Sequence, residues 1–186
     1  MAQIRCVDTI TIGKGCVMKV MVDDSKPDGH LDHNWTETTY DGKPGSMKLE
    51  VPGHWHKYHD EYMEVLRGRM TLYLEGTGSV VLAAGDERLK IPRWHVHSFA
   101  AFEGEEAMLK ELTDPSGEFK AEFFRNMTQS GSMTIIDALR AFWDGDAYIS
   151  LPGNIKLLDQ AFMAVAGTIA RFFWPATRAY KAYPDM

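Results

Sequence analysis

The sequence predicts a mainly β fold, an antiparallel sandwich or barrel, followed by C-terminal α-helices. Two observations predict it. From about residue 4 to residue 113, short alternating segments are interrupted by turn residues roughly every eight to twelve positions, which is typical of antiparallel sheets. From residue 114 onward, apolar residues recur at helical spacing instead. We therefore expect a barrel over residues 1–113 and, over residues 114–186, a helical extension that packs on the barrel or on a dimer partner.

The strands are predicted where apolar and polar residues alternate with a period of two. Turn residues such as Asp28-Gly29 and Asp41-Gly42 separate them. The clearest predicted strands cover residues 16–22, 47–51, 61–66, 69–74, 79–82 and 106–112. A further strand is expected to begin at His97. The sequence has no internal repeat, so we expect one barrel and therefore one site.

Three helices are predicted after the strands. Asp114-Pro115 is typical of an N-cap followed by a first-turn proline. A second helix is predicted over residues 132–144, and a third over residues 154–174 with Asn154 as its cap. The third helix carries an apolar stripe that consists of Leu158, Phe162, Val165, Ile169 and Phe173. We expect this amphipathic helix to cover the barrel, to shape a pocket as a lid, or to meet a second subunit.

Composition and charge exclude several classes of protein. The chain has 186 residues, of which 45% are hydrophobic, and this suits one globular domain with a sizeable core. Its formal net charge is -6 and its basic residues are scattered, so nucleic acid and anionic membranes are not expected as partners. The first residues lack a secretory signal, and no apolar run reaches the roughly 18 residues of a membrane span. We predict a cytoplasmic protein with no transmembrane segment.

One short segment carries most of the candidate chemistry. His54 and His56 lie two apart in an extended stretch, so both imidazoles can face the interior together. Glu61 follows, and its alternation partners Met63 and Val65 are apolar, which places its carboxylate on the buried side of the sheet. A lone buried carboxylate is costly unless a metal or a partner charge compensates it.

His97 adds a third imidazole at the start of a later predicted strand. Three imidazoles and one carboxylate form a donor set that suits one divalent ion of Fe, Mn, Ni, Cu or Zn. The sequence therefore predicts a metal site made of His54, His56, Glu61 and His97. The alternative is an empty barrel that contains a hydrogen-bonded cluster of histidines.

The same residues resemble the two signature motifs of the cupin superfamily. The first motif, His-x-His followed at set intervals by Glu and Gly, is matched in full by His54, His56, Glu61 and Gly68. The second motif is matched in part, by Gly85, Pro92 and His97. Departures from the family pattern stand at Lys48, Trp94 and Ala101, which are turn positions rather than ligand positions. The resemblance covers roughly residues 40–112 and implies a single-domain, RmlC-like jelly roll with a helical extension.

The resemblance implies a metal-dependent enzyme that acts on a small-molecule substrate. We expect oxygenase-type chemistry, that of a cupin dioxygenase or other oxidoreductase, on a small apolar or aromatic metabolite, because the inward positions of the barrel are largely apolar. One alternative is a non-oxidative lyase, isomerase or decarboxylase that uses the metal as a Lewis acid. Another is a small-molecule-binding cupin without turnover. Unpaired sheet edges also favour a homodimer, as in many single-barrel cupins.

Further candidate residues surround the predicted metal. Glu61 is expected to act as a ligand or as a proton acceptor, and His59 or His95 to move a proton. For His59 the alternative is an exposed loop histidine. The candidate walls of a substrate pocket are Met63, Leu72, Trp94 and Phe99. Apolar residues that point into a small barrel are nevertheless first of all core residues.

Overall fold

The computed structural model describes residues 3–128 and 134–173. Within these residues the chain forms eleven strands and three helices. The strands are β1 (Ile4–Gly13), β2 (Cys16–Asp23), β3 (Asn34–Tyr40), β4 (Glu50–Trp55), β5 (Asp60–Arg67), β6 (Arg69–Leu74), β7 (Gly78–Ala83), β8 (Leu89–Ile91), β9 (His97–Ala101), β10 (Ala107–Asp114) and β11 (Tyr148–Ile149). The helices are α1 (Phe119–Met127), α2 (Ile135–Asp144) and α3 (Lys156–Phe173).

The strands form two antiparallel sheets. One sheet has six strands in the order β1-β2-β3-β10-β5-β8, and the other has five in the order β11-β4-β9-β6-β7. A single hydrophobic core lies between them, to which Met63 and Leu109 contribute from the first sheet and Leu72 and Phe99 from the second. The prediction of a mainly β body followed by helices is therefore confirmed.

Alternation decides which side chains enter this core. In β2 the residues at every second position, from Cys16 to Val22, are buried, and the residues between them are more exposed. In β5 the same rule buries Glu61 together with Met63 and Val65. Because the period of a strand is two, a carboxylate in register with apolar neighbours has to share their side of the sheet. The fold thus forces Glu61 into the interior.

Three element boundaries differ from the sequence prediction. The predicted helix start at Asp114 is wrong, because β10 continues through Asp114 and α1 begins at Phe119. The predicted strand over residues 47–51 lies instead at Glu50–Trp55. Asn154 does not cap α3: it adopts a left-handed backbone conformation with a φ of 53°, and its side chain accepts a hydrogen bond from the hydroxyl of Ser150.

The predicted bounds of the second and third helices reach beyond the residues that the structure describes. Thr134 caps α2 by accepting a hydrogen bond from the backbone N–H of Asp137. The prediction began this helix at residue 132, but residues 132 and 133 lie outside the described residues. Trp174 and the expected stop at Pro175 also lie outside them. No helix among the described residues is long and apolar enough to cross a membrane.

The buried face of α3 is not the one that its apolar stripe predicts. The stripe residues Leu158, Phe162, Val165, Ile169 and Phe173 are 39% to 71% exposed. The helix instead buries Asp159, Met163, Gly167 and Ala170. A Cβ atom at Gly167 would come within 2.4 Å of the Cβ of Trp143, so the glycine allows α3 to approach α2 closely. Small residues and a carboxylate therefore form the face of α3 that packs on the rest of the described chain, and the apolar stripe faces away from it.

Candidate metal centre

The four predicted ligands meet at one buried point between the two sheets. His54 lies near the end of β4 and pairs directly with His97 at the start of β9. His56 follows β4 by one residue, and Glu61 is the second residue of β5. One ligand atom from each residue lies within 4.8 Å of those of the other three. None of the four residues is more than 8% exposed, so the structure places the set in a protected interior.

Backbone carbonyls fix the orientation of all three imidazoles. The Nδ1 atoms of His54, His56 and His97 lie 2.9, 2.8 and 3.1 Å from the carbonyl oxygens of Pro52, Asp146 and His95, respectively. A carbonyl oxygen can only accept a hydrogen bond, so each Nδ1 carries a proton and donates it. In the neutral ring the Nε2 atom is then left with a lone pair. This is the arrangement that orients histidine ligands in metalloproteins.

Glu61 faces those lone pairs, and this arrangement fits a bound cation. Its Oε2 atom lies 3.1 Å from Nε2 of His97 and 3.4 Å from Nε2 of His56. The Nε2 atom of His56 is buried without the geometry of a hydrogen bond. An unprotonated nitrogen next to a carboxylate oxygen is repulsive unless a proton or a metal ion lies between them. A divalent ion would satisfy all three rings and the carboxylate at once, so the residues fit a metal.

The protonation states agree with this interpretation. Burial lowers the pKa of His54 well below its ordinary value, and the nearby His97 and His56 lower it further. Burial likewise lowers the pKa of His56. Burial acts to raise the pKa of Glu61, but the positive charge of Lys120 and the contacts with His56 hold that pKa well below its usual range. Neutral imidazoles and an ionised carboxylate are the forms in which these side chains bind metals.

Lys120, in the first turn of α1, also belongs to this cluster, and sequence reasoning missed it. Its Nζ atom lies 2.7 Å from Oε1 of Glu61 and 3.2 Å from Oε1 of Glu111. The side chain of Lys120 is only 13% exposed. Burial acts to lower the pKa of Lys120, but the two carboxylates raise it above its ordinary value, so the ammonium group stays charged. The helical extension thus contributes a cation to the interior of the barrel.

Asp146 is a second contact from the helical extension that the sequence did not reveal. It lies between α2 and β11, is 1% exposed, and has a φ of 61°. Its backbone carbonyl accepts the hydrogen bond from His56, and its carboxylate accepts three more, from the backbone N–H groups of Lys57 and Tyr58 and from Nδ1 of His59. Burial raises the pKa of Asp146 to about 6. Asp146 therefore fixes the whole turn that carries His56 and His59.

His59 and His95 lie in very different surroundings. His59 is 1% exposed, so the alternative of an exposed loop histidine is wrong. Its ring stacks on His56 with 4.1 Å between ring centroids, and its Nε2 atom lies 4.0 Å from Oε1 of Glu61. Burial lowers the pKa of His59 to about 3. His95 is exposed, with Nδ1 3.1 Å from the carbonyl oxygen of Arg93, and it is not part of the buried cluster of candidate ligands.

The four predicted pocket residues do not line one cavity. Met63, Leu72 and Phe99 are at most 6% exposed and belong to the closely packed core. Trp94 is 38% exposed and stacks against Trp55, with 4.8 Å between ring centroids, so it lies apart from the packed core that holds the other three. A small hollow lies beside Lys120, and its lining includes Trp35, Thr36, Glu111, Thr113 and Lys120 but none of the four candidate ligands.

Comparisons with known proteins give matches among solved structures. The chain is similar to KdgF from Halomonas sp., with 21% identity, 60% of this chain and 88% of that chain covered, and a TM-score of 0.46. It is similar to an RmlC-like cupin from Shewanella frigidimarina NCIMB 400, with 18% identity, 60% and 86% covered, and a TM-score of 0.43. The polyketide cyclase RemF from Streptomyces resistomycificus matches with 22% identity, 56% and 68% covered, and a TM-score of 0.41.

No protein-family model matches the sequence, and no curated protein matches it. The identification therefore depends on the chain itself. Two antiparallel sheets enclose one core, and the side chains of the His-x-His, Glu and distant His motif converge between them. Three helices follow the last long strand. Together these features match a cupin jelly roll with a helical C-terminal extension.

Proposed function

We propose that the protein is a metal-dependent cupin enzyme that acts on a small molecule. His54, His56, Glu61 and His97 would hold one divalent ion, one of Fe, Mn, Ni, Cu or Zn. The observation that carries the proposal is the set of three Nδ1-to-carbonyl hydrogen bonds, which direct three Nε2 lone pairs at the carboxylate. The bound ion would supply Lewis-acid or redox chemistry at a coordination position left open for substrate.

The chain's own contribution would be the handling of protons. Nδ1 of His59 donates to the carboxylate of Asp146, so Nε2 is the basic nitrogen of that ring. This Nε2 atom lies 4.0 Å from Oε1 of Glu61 and faces the cluster of candidate ligands. A carboxylate that orients a histidine next to a metal site places that histidine to relay a proton to or from a substrate, although burial, which lowers the pKa of His59 to about 3, makes the ring a weak base. The geometry therefore favours non-oxidative chemistry of the lyase, isomerase or decarboxylase class.

Oxygenase-type chemistry on an apolar or aromatic metabolite is the second candidate. It is supported by the apolar side chains that continue inward from the ligands along the same faces of the strands. Met63 follows Glu61, and Phe99 follows His97, at alternate positions. Oxygen uptake separates the two candidates: metal-loaded protein that turns over a substrate without consuming oxygen supports the first, and stoichiometric oxygen consumption supports the second. A non-catalytic binding cupin would bind ligands without turning any over.

The metal content of the purified protein tests the proposal. Protein purified without added metal is expected to contain one divalent ion per chain, and His56→Ala is expected to lose it. His95→Ala is the matched control, because His95 is a histidine of the same region that lies at the surface. Equal loss in both variants, or retention of the ion in His56→Ala, would contradict the assignment of the site.

A homodimer is also part of this proposal. The exposed apolar stripe of α3 is a surface that a second copy could cover, and the edge strand β7 is another. Sedimentation velocity of the wild-type chain is expected to show a dimer. Dissociation by Val165→Glu would assign the interface to α3, and dissociation by Val81→Glu would assign it to β7. A wild-type monomer at micromolar concentration would contradict the dimer.

A further inference from the structure

The two oxygens of Glu61 have different partners. Oε2 faces the imidazoles, 3.1 Å from Nε2 of His97 and 3.4 Å from Nε2 of His56. Oε1 accepts a hydrogen bond of 2.7 Å from Nζ of Lys120. A carboxylate can bind a metal ion through one oxygen or through both. Whether Oε1 is available therefore decides how many coordination positions the protein occupies.

We propose that Lys120 is a positioning residue that keeps Oε1 of Glu61 away from the metal, so that Glu61 binds through Oε2 alone. This inference rests on the proposed metal site. By holding Oε1, Lys120 preserves a coordination position for substrate, and by its charge it lowers the affinity of the site for the ion. The helical extension thus determines how many coordination positions Glu61 occupies at the metal site in the barrel.

The contacts of Lys120 favour Glu61 as its principal partner. The distance to Glu61 is 2.7 Å, whereas the distance to Glu111 is 3.2 Å. A charge-assisted hydrogen bond of the shorter length is strong, and the low exposure of both groups leaves little solvent to screen it. Glu111 provides a second negative charge, which helps to retain the ammonium group in the interior.

The position of Lys120 is fixed by the way α1 docks on the barrel. On one side of Lys120, the ring of Phe119 lies 5.3 Å from the ring of His59 between centroids. On the other side, Ala121 is buried against the outer core around Val20. Further along the helix, Arg125 forms an ion pair of 2.7 Å with Asp8 of β1. The docking of α1 on the barrel therefore fixes the position of the ammonium group.

Binding of Co²⁺ to wild-type protein and to Lys120→Met tests the inference. Loss of one buried positive charge and release of Oε1 should tighten Co²⁺ binding by about ten-fold or more in a chelator-competition titration. The visible absorption of bound Co²⁺ should change as a second carboxylate oxygen enters the coordination shell. A merely structural lysine would instead give weaker binding and the same spectrum. Unchanged or weaker affinity with an unchanged spectrum would overturn the inference.

Two further variants keep the result interpretable. Lys120→Met leaves two buried carboxylates without their cation, so Lys120→Met combined with Glu111→Gln provides a variant with less buried charge. It should show the same change in the Co²⁺ spectrum, with a smaller gain in affinity because one negative charge is lost as well. Arg125→Met is the matched control, because it loosens α1 without touching Glu61; tighter binding in this variant as well would overturn the role of Lys120. Wild-type protein that binds no Co²⁺ would refute the proposed function itself.

Discussion

Replacement of Asp159 by alanine should destabilise the protein strongly, because this carboxylate joins α3 to β4, the strand that carries His54 and leads into His56. Its Oδ2 atom accepts a hydrogen bond of 2.9 Å from the indole N–H of Trp55, and its Oδ1 atom accepts one of 2.9 Å from the backbone N–H of Leu151. Asp159 and Trp55 are both 0% exposed, so water cannot replace the lost acceptor at the indole. A buried donor left unsatisfied costs about 1–3 kcal/mol.

The buried indole donor and the half-buried backbone donor of Leu151 together predict a loss of about 2–6 kcal/mol in the free energy of unfolding, with a few tenths more from the acidic residue in the first turn of the helix. Urea unfolding followed by circular dichroism measures this loss. Asp159→Asn keeps one acceptor oxygen and should lose about half as much. Gln160→Ala, the next residue on the same helix, is the control and should change the stability by less than about 0.5 kcal/mol. A loss below about 1 kcal/mol in Asp159→Ala would refute the reasoning.

Three other predictions concern the contacts around the site. Asp146→Ala should weaken metal binding about 10–100-fold in a competition titration, since the Asp146 carboxylate orients the turn that carries His56 and His59; unchanged affinity would contradict this. Burial acts to raise the pKa of Glu75, but hydrogen bonds from an ammonium group and a backbone N–H lower it more. Glu75→Gln should therefore be less stable than wild type at pH 7, and the difference in melting temperature should vanish as the pH falls well below about 4.3; a difference that persists in acid would argue against it. Gly167→Ala should cost about 1–3 kcal/mol in thermal unfolding because the new Cβ collides with Trp143, and a neutral effect would mean that α3 packs elsewhere.

The ligand set could be predicted from sequence because it depends on local geometry. The period of two in β-strands determines that His54 and His56 point the same way, and the apolar neighbours of Glu61 determine that it points inward. The resemblance to the cupin motifs implied that His97 converges with His54, but their direct pairing across neighbouring strands is a tertiary contact that the sequence did not predict. The mainly β body followed by helices was predictable for the same reason, since each element has its own apolar period.

The contacts made by the helical extension could not be predicted in this way. Lys120 reaches Glu61 across 59 positions of the chain, and Asp146 reaches His56 across 90. Such contacts depend on how α1 and α2 dock. The neighbouring sequence gives no signal that a charged residue, which is usually exposed, will be buried. The face of α3 that packs on α2 could not be predicted for a related reason. Close helix packing depends on small residues such as Gly167, and the pattern of large apolar residues does not show it.

The central claim is that four side chains from three strands and one turn bind a single ion through three Nε2 atoms and one carboxylate oxygen. The most direct test is a crystal structure of the metal-loaded protein with data collected at the absorption edge of the bound metal. The account predicts one anomalous peak within about 2.0–2.3 Å of Nε2 of His54, His56 and His97 and of Oε2 of Glu61. A peak at any other position, or none at this cluster in protein shown to contain the metal, would contradict it.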